Sequence, residues 1–134
     1  MADSIISNSE SETIAIGVQL SQRLKQGDIV ALSGEMGAGK TYFVKGIAEG
    51  LGFSGEVTSP TFTLLHEYRG GRLPLWHADW YRIQFRREID FLGLDDVLQE
   101  GILVMEWPEK IEATPTFHVK IEIQNETQRK ISWE

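Results

Sequence analysis

The sequence predicts an α/β fold, with a central mixed sheet that has a parallel core and an antiparallel extension and is flanked by helices. Three observations predict it. Helix-like and strand-like runs alternate over residues 9–51, strand-like runs dominate later, and a glycine-rich turn at 34–39 joins a strand-like run to a helix-like one. A chain of 134 residues is long enough to bury one core, so residues 1–134 are expected to form a single domain.

The elements follow in order. Ser9 and Glu12 have the spacing of a capping box, in which a hydroxyl and a carboxylate satisfy backbone N–H groups at a helix start. Ile14, Gly17, Val18, Ser21 and Leu24 recur at helical spacing, with Leu20 beside them, and Gly27 is a natural stop. Asp28 to Ser33 reads as a short buried strand, Gly34 to Gly39 as a loop, and Lys40 to about Leu51 as a helix closed by Gly50 and Gly52. Thr61 to Tyr68, the turn Arg69 to Arg72, and Leu73 to Asp79 read as a hairpin. Phe85 to Gln99 is predicted helical with an interruption at Gly93. Gly101 to Glu106 is another buried strand, ended by Trp107-Pro108. Phe117 to Gln124 and Arg129 to Trp133 read as a second hairpin turning at Asn125-Glu126-Thr127.

Composition narrows the function. Thirteen Lys and Arg against 20 Asp and Glu give a net charge of −7, which argues against autonomous nucleic-acid binding through a broad basic face. It does not argue against one local phosphate site. There is no Cys, which excludes disulfides, Cys-ligated metal and thiol catalysis and fits a cytoplasmic setting. No apolar run approaches the roughly 18 residues of a membrane span. Met1 to Glu12 hold no Lys or Arg, so neither a secretory leader nor a membrane partner is expected.

The strongest chemical signal is Gly34-Glu35-Met36-Gly37-Ala38-Gly39-Lys40-Thr41. It matches G-x-x-x-x-G-K-[ST] and lies between strand and helix signals, the context of a P-loop. The glycines let successive N–H groups turn inward as an anion nest, and the following helix adds the positive end of its dipole. Lys40 would reach the β- and γ-phosphates and Thr41 would give its hydroxyl to Mg²⁺. The fold class sharpens to a single P-loop NTPase-like domain. Asp79 and Glu106 each close an apolar strand-like run, and carboxyl ends of strands are where α/β ligands sit. On the residues alone, either acid could hold Mg²⁺ while the other orients the attacking water; each could also be a solvated strand-end carboxylate. Ser59-Pro60-Thr61-Phe62-Thr63 offers hydroxyls for a switch segment, or a plain turn into a strand. Arg82, Arg86 and Arg87 could neutralise phosphate or meet a partner, or lie on a solvated helix face. His66, His77 and His118 lack metal-ligand spacing, and His77 and His118 read as alternating strand residues. No N-K-x-D segment is present to read guanine, which favours ATP over GTP.

Together the P-loop, Ser59-Pro60-Thr61-Phe62-Thr63, His77-Ala78-Asp79-Trp80-Tyr81-Arg82 and Glu106-Trp107-Pro108-Glu109 resemble the TsaE (YjeE) family of bacterial ATPases, across almost the whole chain. The P-loop alone is unspecific; the four segments in this order and spacing are highly specific. Where family members often carry G-D-L-G-A-G-K-T, this chain has Glu35 and Met36, positions that offer mainly backbone. The resemblance implies Mg²⁺-dependent ATP hydrolysis alongside TsaB and TsaD in threonylcarbamoyl modification of the adenosine next to the tRNA anticodon, with tRNA met only through the complex. It implies Thr41 and Glu106 as Mg²⁺ positions and Asp79 as the acid needed for hydrolysis. It brings Glu10 towards the nucleotide beside the P-loop residues. Ser59, Thr61, Arg82 and Trp107 lie within or beside the motifs around the γ-phosphate and are the expected switch and partner face. Two other readings remain open: a small P-loop kinase with an arginine lid, and a nucleotide-sensing module that does not hydrolyse.

Overall fold

A computed structural model describes residues 3–35, 37–55, 57, 65–80, 93–108 and 115–134. Seven strands form one sheet: β1 (Asp3–Ser7), β2 (Ile29–Gly34), β3 (Leu65–Tyr68), β4 (Leu75–Asp79), β5 (Ile102–Glu106), β6 (Phe117–Ile123) and β7 (Arg129–Trp133). Their order is β1-β7-β6-β2-β5-β4-β3. The inner four, β6, β2, β5 and β4, are mutually parallel, while β3, β7 and β1 join antiparallel. The expected parallel core is therefore present, and the antiparallel extension lies on both of its sides. Strand β1 answers no sequence signal. Four of its five residues are exposed, and it is held by pairing with β7, Ile5 opposite Ile131.

Helix α1 (Glu10–Ser21) starts as its capping signal predicts. Ser9 Oγ accepts from the Glu12 N–H at 3.1 Å, and the Glu12 carboxylate accepts from the Asn8 N–H at 2.6 Å. The buried positions Thr13, Ile16, Gly17 and Leu20 form one helical stripe. The helix ends three residues earlier than Leu24, whose N–H instead bonds to the Ser21 carbonyl in a tightened turn. Helix α2 (Lys40–Gly50) lies against α1 at glycine contacts. A Cβ on Gly17 would stand 2.4 Å from the Phe43 carbonyl oxygen, and one on Gly46 2.0 Å from that of Ile14. Helix α3 (Leu94–Glu100) begins directly after Gly93, which takes a left-handed φ of 67°. Of the first predicted hairpin, 65–68 and 75–79 are strands and 61–64 lie outside the described residues, as does the 85–92 part of the predicted helix.

Period-two alternation divides the sheet. Val30, Leu32, Ile102, Val104, Val119 and Ile121 pack with Ile16, Leu20, Phe43, Val44 and Ile47 beneath α1 and α2. Ala31, Trp76, Ala78, Leu103 and Met105 pack on the other face with Val97 of α3. No described helix is long and apolar enough to cross a membrane.

Candidate functional site

The parallel core places the carboxyl ends of β2, β5 and β4 side by side, with Leu32 opposite Glu106 and Glu106 opposite Asp79. The loop leaving β2 returns as α2. Gly37 and Gly39 adopt φ of 83° and 99°, conformations that favour glycine, and a Cβ built on either would meet nothing within 4 Å. The open side of that turn is a cradle. Gly39 caps α2 without a side-chain hydrogen bond, which leaves the first-turn N–H groups to an anion. Thr41, the second residue of α2, is half-buried beside Lys40.

Lys40 is only 8% exposed, so its ammonium needs partners. It donates to the Gly34 carbonyl at 2.8 Å, stands 3.7 Å from Glu106 Oε1 and lies 4.6 Å above the centre of the Trp107 ring. Trp107 takes a left-handed φ of 57°, which is rare for a bulky residue, and it precedes Pro108. Glu106, itself buried, divides its two oxygens: Oε1 faces Lys40, and Oε2 is 2.5 Å from Nε2 of the fully buried His77. Asp79 lies half-buried, two residues beyond His77 on the same sheet face. Beside it the Trp80 N–H donates to the Glu106 carbonyl at 3.2 Å, tying the ends of β4 and β5 together.

A cleft of about 450 Å³ opens beside the cradle, lined by Asn8, Glu10, Gly37, Gly39, Tyr42 and Arg129 among others. Glu10 opens α1 and accepts a hydrogen bond from the Tyr42 hydroxyl. That bond, and then the carboxylate's charge, raises the phenol above its ordinary pKa of 10.0. Arg129, at the start of β7, donates to the Ala38 carbonyl at 3.2 Å and to that of Gly37 at 3.4 Å, so the second hairpin braces the loop.

The structure thus brings together Gly34, Gly37, Ala38, Gly39, Lys40, Thr41, Glu106, Asp79 and Trp107, with Glu10 across the cleft. Met36, Ser59, Thr61 and Arg82, along with Arg86 and Arg87, lie outside the described residues. Sequence reasoning missed His77 and Arg129 as site residues. For His77 a signal existed, since it alternates with Asp79 on one face; for Arg129 there was none, because its partners are 91 and 92 residues away. Among the described residues no group of three or more acidic or histidine side chains forms a metal cage. The donor set instead suits a cation shared with phosphate oxygens: one hydroxyl and one carboxylate beside an anion cradle.

Residues 7–131 match the sequence model of a family described as threonylcarbamoyl adenosine biosynthesis protein TsaE. A Synechocystis protein named tRNA threonylcarbamoyladenosine biosynthesis protein TsaE is 44% identical over 105 residues, 75% of this chain and 66% of that protein. A Bacillus subtilis protein of the same name is 47% identical over 102 residues, 75% of this chain and 63% of that one. The matches thus span just under two thirds of the length of these two relatives. The crystal structure of Bacillus subtilis YdiB superposes with a TM-score of 0.81 and 33% identity, covering 99% of this chain and 84% of that one.

Proposed function

The chain belongs to the TsaE family, and on that premise we propose that it is a Mg²⁺-dependent ATP-binding and ATP-hydrolysing subunit. It would act in the cytoplasm with TsaB and TsaD in threonylcarbamoyl modification of the adenosine next to the tRNA anticodon, meeting tRNA only through that complex. Residues 1–134 would serve as one ATPase domain. The observation that carries the reading is Lys40, buried at the carboxyl edge of the parallel core between the Gly34 carbonyl, Glu106 and Trp107, behind an open glycine cradle.

The roles follow from the chemistry of each group. Backbone N–H groups of the loop and the first turn of α2 bind the phosphates, with Glu35 and Met36 contributing backbone. Lys40 exchanges its internal partners for β- and γ-phosphate oxygens. The Thr41 hydroxyl and Glu106 would hold Mg²⁺, which when bound draws charge from the β- and γ-phosphates. Asp79 accepts a hydrogen bond from water and orients it towards the γ-phosphorus; the β–γ bridging oxygen departs with ADP, and phosphate is released. The nucleoside occupies the cleft beside Glu10, Tyr42 and Arg129. Thr61, Arg82 and Trp107, with Ser59, form the switch and partner face. A site open to solvent stabilises a transition state weakly, so turnover alone is expected to be slow.

The test is Mg-ATP turnover with and without TsaB–TsaD, read as free phosphate. Release that rises with the partners is expected. ADP formed only with an acceptor, without free phosphate, would replace the reading with a small kinase, and binding without turnover would replace it with a sensing module.

A further inference from the structure

We propose that His77 is a positioning residue that fixes the Glu106 carboxylate so that Oε1, and not Oε2, is presented to the cation beside Thr41. The inference rests on the Mg-ATP reading of the site and goes beyond it.

His77 is fully buried, and its Nε2 lies 2.5 Å from Glu106 Oε2. Among the described residues its Nδ1 is the one buried side-chain polar atom without a hydrogen-bond partner. These facts select a tautomer. A proton on Nδ1 would be a buried donor with no acceptor, and the bare Nε2 lone pair would face a carboxylate. A proton on Nε2 is donated to Oε2 and leaves only an acceptor unpaired. The ring cannot turn away, because β4 is buried on both faces at Leu75, Trp76 and Ala78. Glu106 therefore has one oxygen held from below by a rigid donor, while the other faces Lys40 at 3.7 Å. Lys40 is the mobile partner, since phosphate oxygens compete for its ammonium. Once it leaves, His77 still holds the Glu106 side chain through Oε2. A carboxylate free to rotate would offer either oxygen or both, and outer partners that hold a metal ligand typically change metal affinity by about 10–100-fold.

The experiment uses the full chain with a non-hydrolysable ATP analogue and Mn²⁺ as the spectroscopic cation. His77→Gln keeps an amide donor near the position of Nε2, whereas His77→Asn places the same amide too short to reach Glu106. Titration followed by electron paramagnetic resonance should show Mn²⁺ binding weakened about tenfold or more in His77→Asn and within about threefold of the unaltered protein in His77→Gln. Affinity for the analogue in EDTA should stay the same in all three. Equal Mn²⁺ titrations for the unaltered protein and His77→Asn, or equal losses in both variants, would overturn the inference while leaving the nucleotide reading intact. If the unaltered chain binds neither analogue nor Mn²⁺, the nucleotide reading falls and takes the inference with it. Should His77→Asn not fold, the ¹⁵N imidazole spectrum of the unaltered protein still decides. A proton on Nε2, slow to exchange, is expected; a proton on Nδ1 with Nε2 bare would refute the pairing.

Discussion

Lys40 ties loop, strand end and aromatic ring into one contact set, so its removal should act on stability and binding separately. Lys40→Ala leaves the Glu106 carboxylate buried without its ammonium partner, and an uncompensated buried charge costs about 3–5 kcal/mol. The same change removes a charged donor worth about 1.5–3 kcal/mol to phosphate, at least tenfold in affinity. Adding Glu106→Gln to Lys40→Ala should restore much of the melting temperature and none of the metal-free ATP affinity. Calorimetry and thermal melts on the two variants check this, and recovery of both properties together would contradict the assigned roles. Tyr42 supplies a pH readout at the same scale. Its neutral form is favoured by Glu10, so its phenol should ionise above 10.0, and Glu10→Gln should bring it back down towards that value. Ultraviolet titration of Glu10→Gln against the unaltered protein measures the difference, with Tyr42→Phe identifying the signal; an unshifted curve would place Glu10 away from Tyr42.

At the scale of elements, the meeting of α1 and α2 depends on positions with no side chain. Gly46→Ala would drive a methyl to 2.0 Å from a backbone carbonyl that cannot yield as a flexible side chain could. Overpacking of this kind costs about 1–3 kcal/mol, so the midpoint of a thermal melt should fall by roughly 4–12 °C. Gly37→Ala, whose Cβ meets nothing, should lose stability only through its positive φ and should chiefly impair nucleotide binding. An unchanged melt for Gly46→Ala would mean that the helices sit further apart. The sequence made α1, α2 and the P-loop legible because each is announced by neighbours in the chain: a capping box, a glycine run, helical spacing. It made Glu106 and Asp79 legible because each ends an apolar run. Strand β1 was illegible, since Asp3-Ser4-Ile5-Ile6-Ser7 has no alternation and is a strand only because β7 offers it a hydrogen-bonding edge. The grip of Arg129 on the loop and of His77 on Glu106 depends on strand register, which no local pattern carries.

For the whole molecule, the decisive feature is the position of β2 in the sheet. It is flanked by β6 and β5, both of which come later in the chain than α2. The order of synthesis is therefore the reverse of the order of need: the phosphate cradle emerges from the ribosome early, but the strands that hold it in place arrive only with residues 102–123. A nascent chain that has made α3 but not β5 has an exposed apolar strand, Ile29–Gly34, with no partner on either edge. A fragment of residues 1–101 should accordingly leave the 29–34 amides open to hydrogen exchange and should not bind ATP, and addition of a 102–134 peptide should restore both. Protection in the fragment alone would show that β2 is stabilised by its helices and not by its neighbours. If the dependence holds, the ribosome is obliged to carry an inert cradle until the last quarter of the chain is read, and no half-made copy would compete for the cell's ATP.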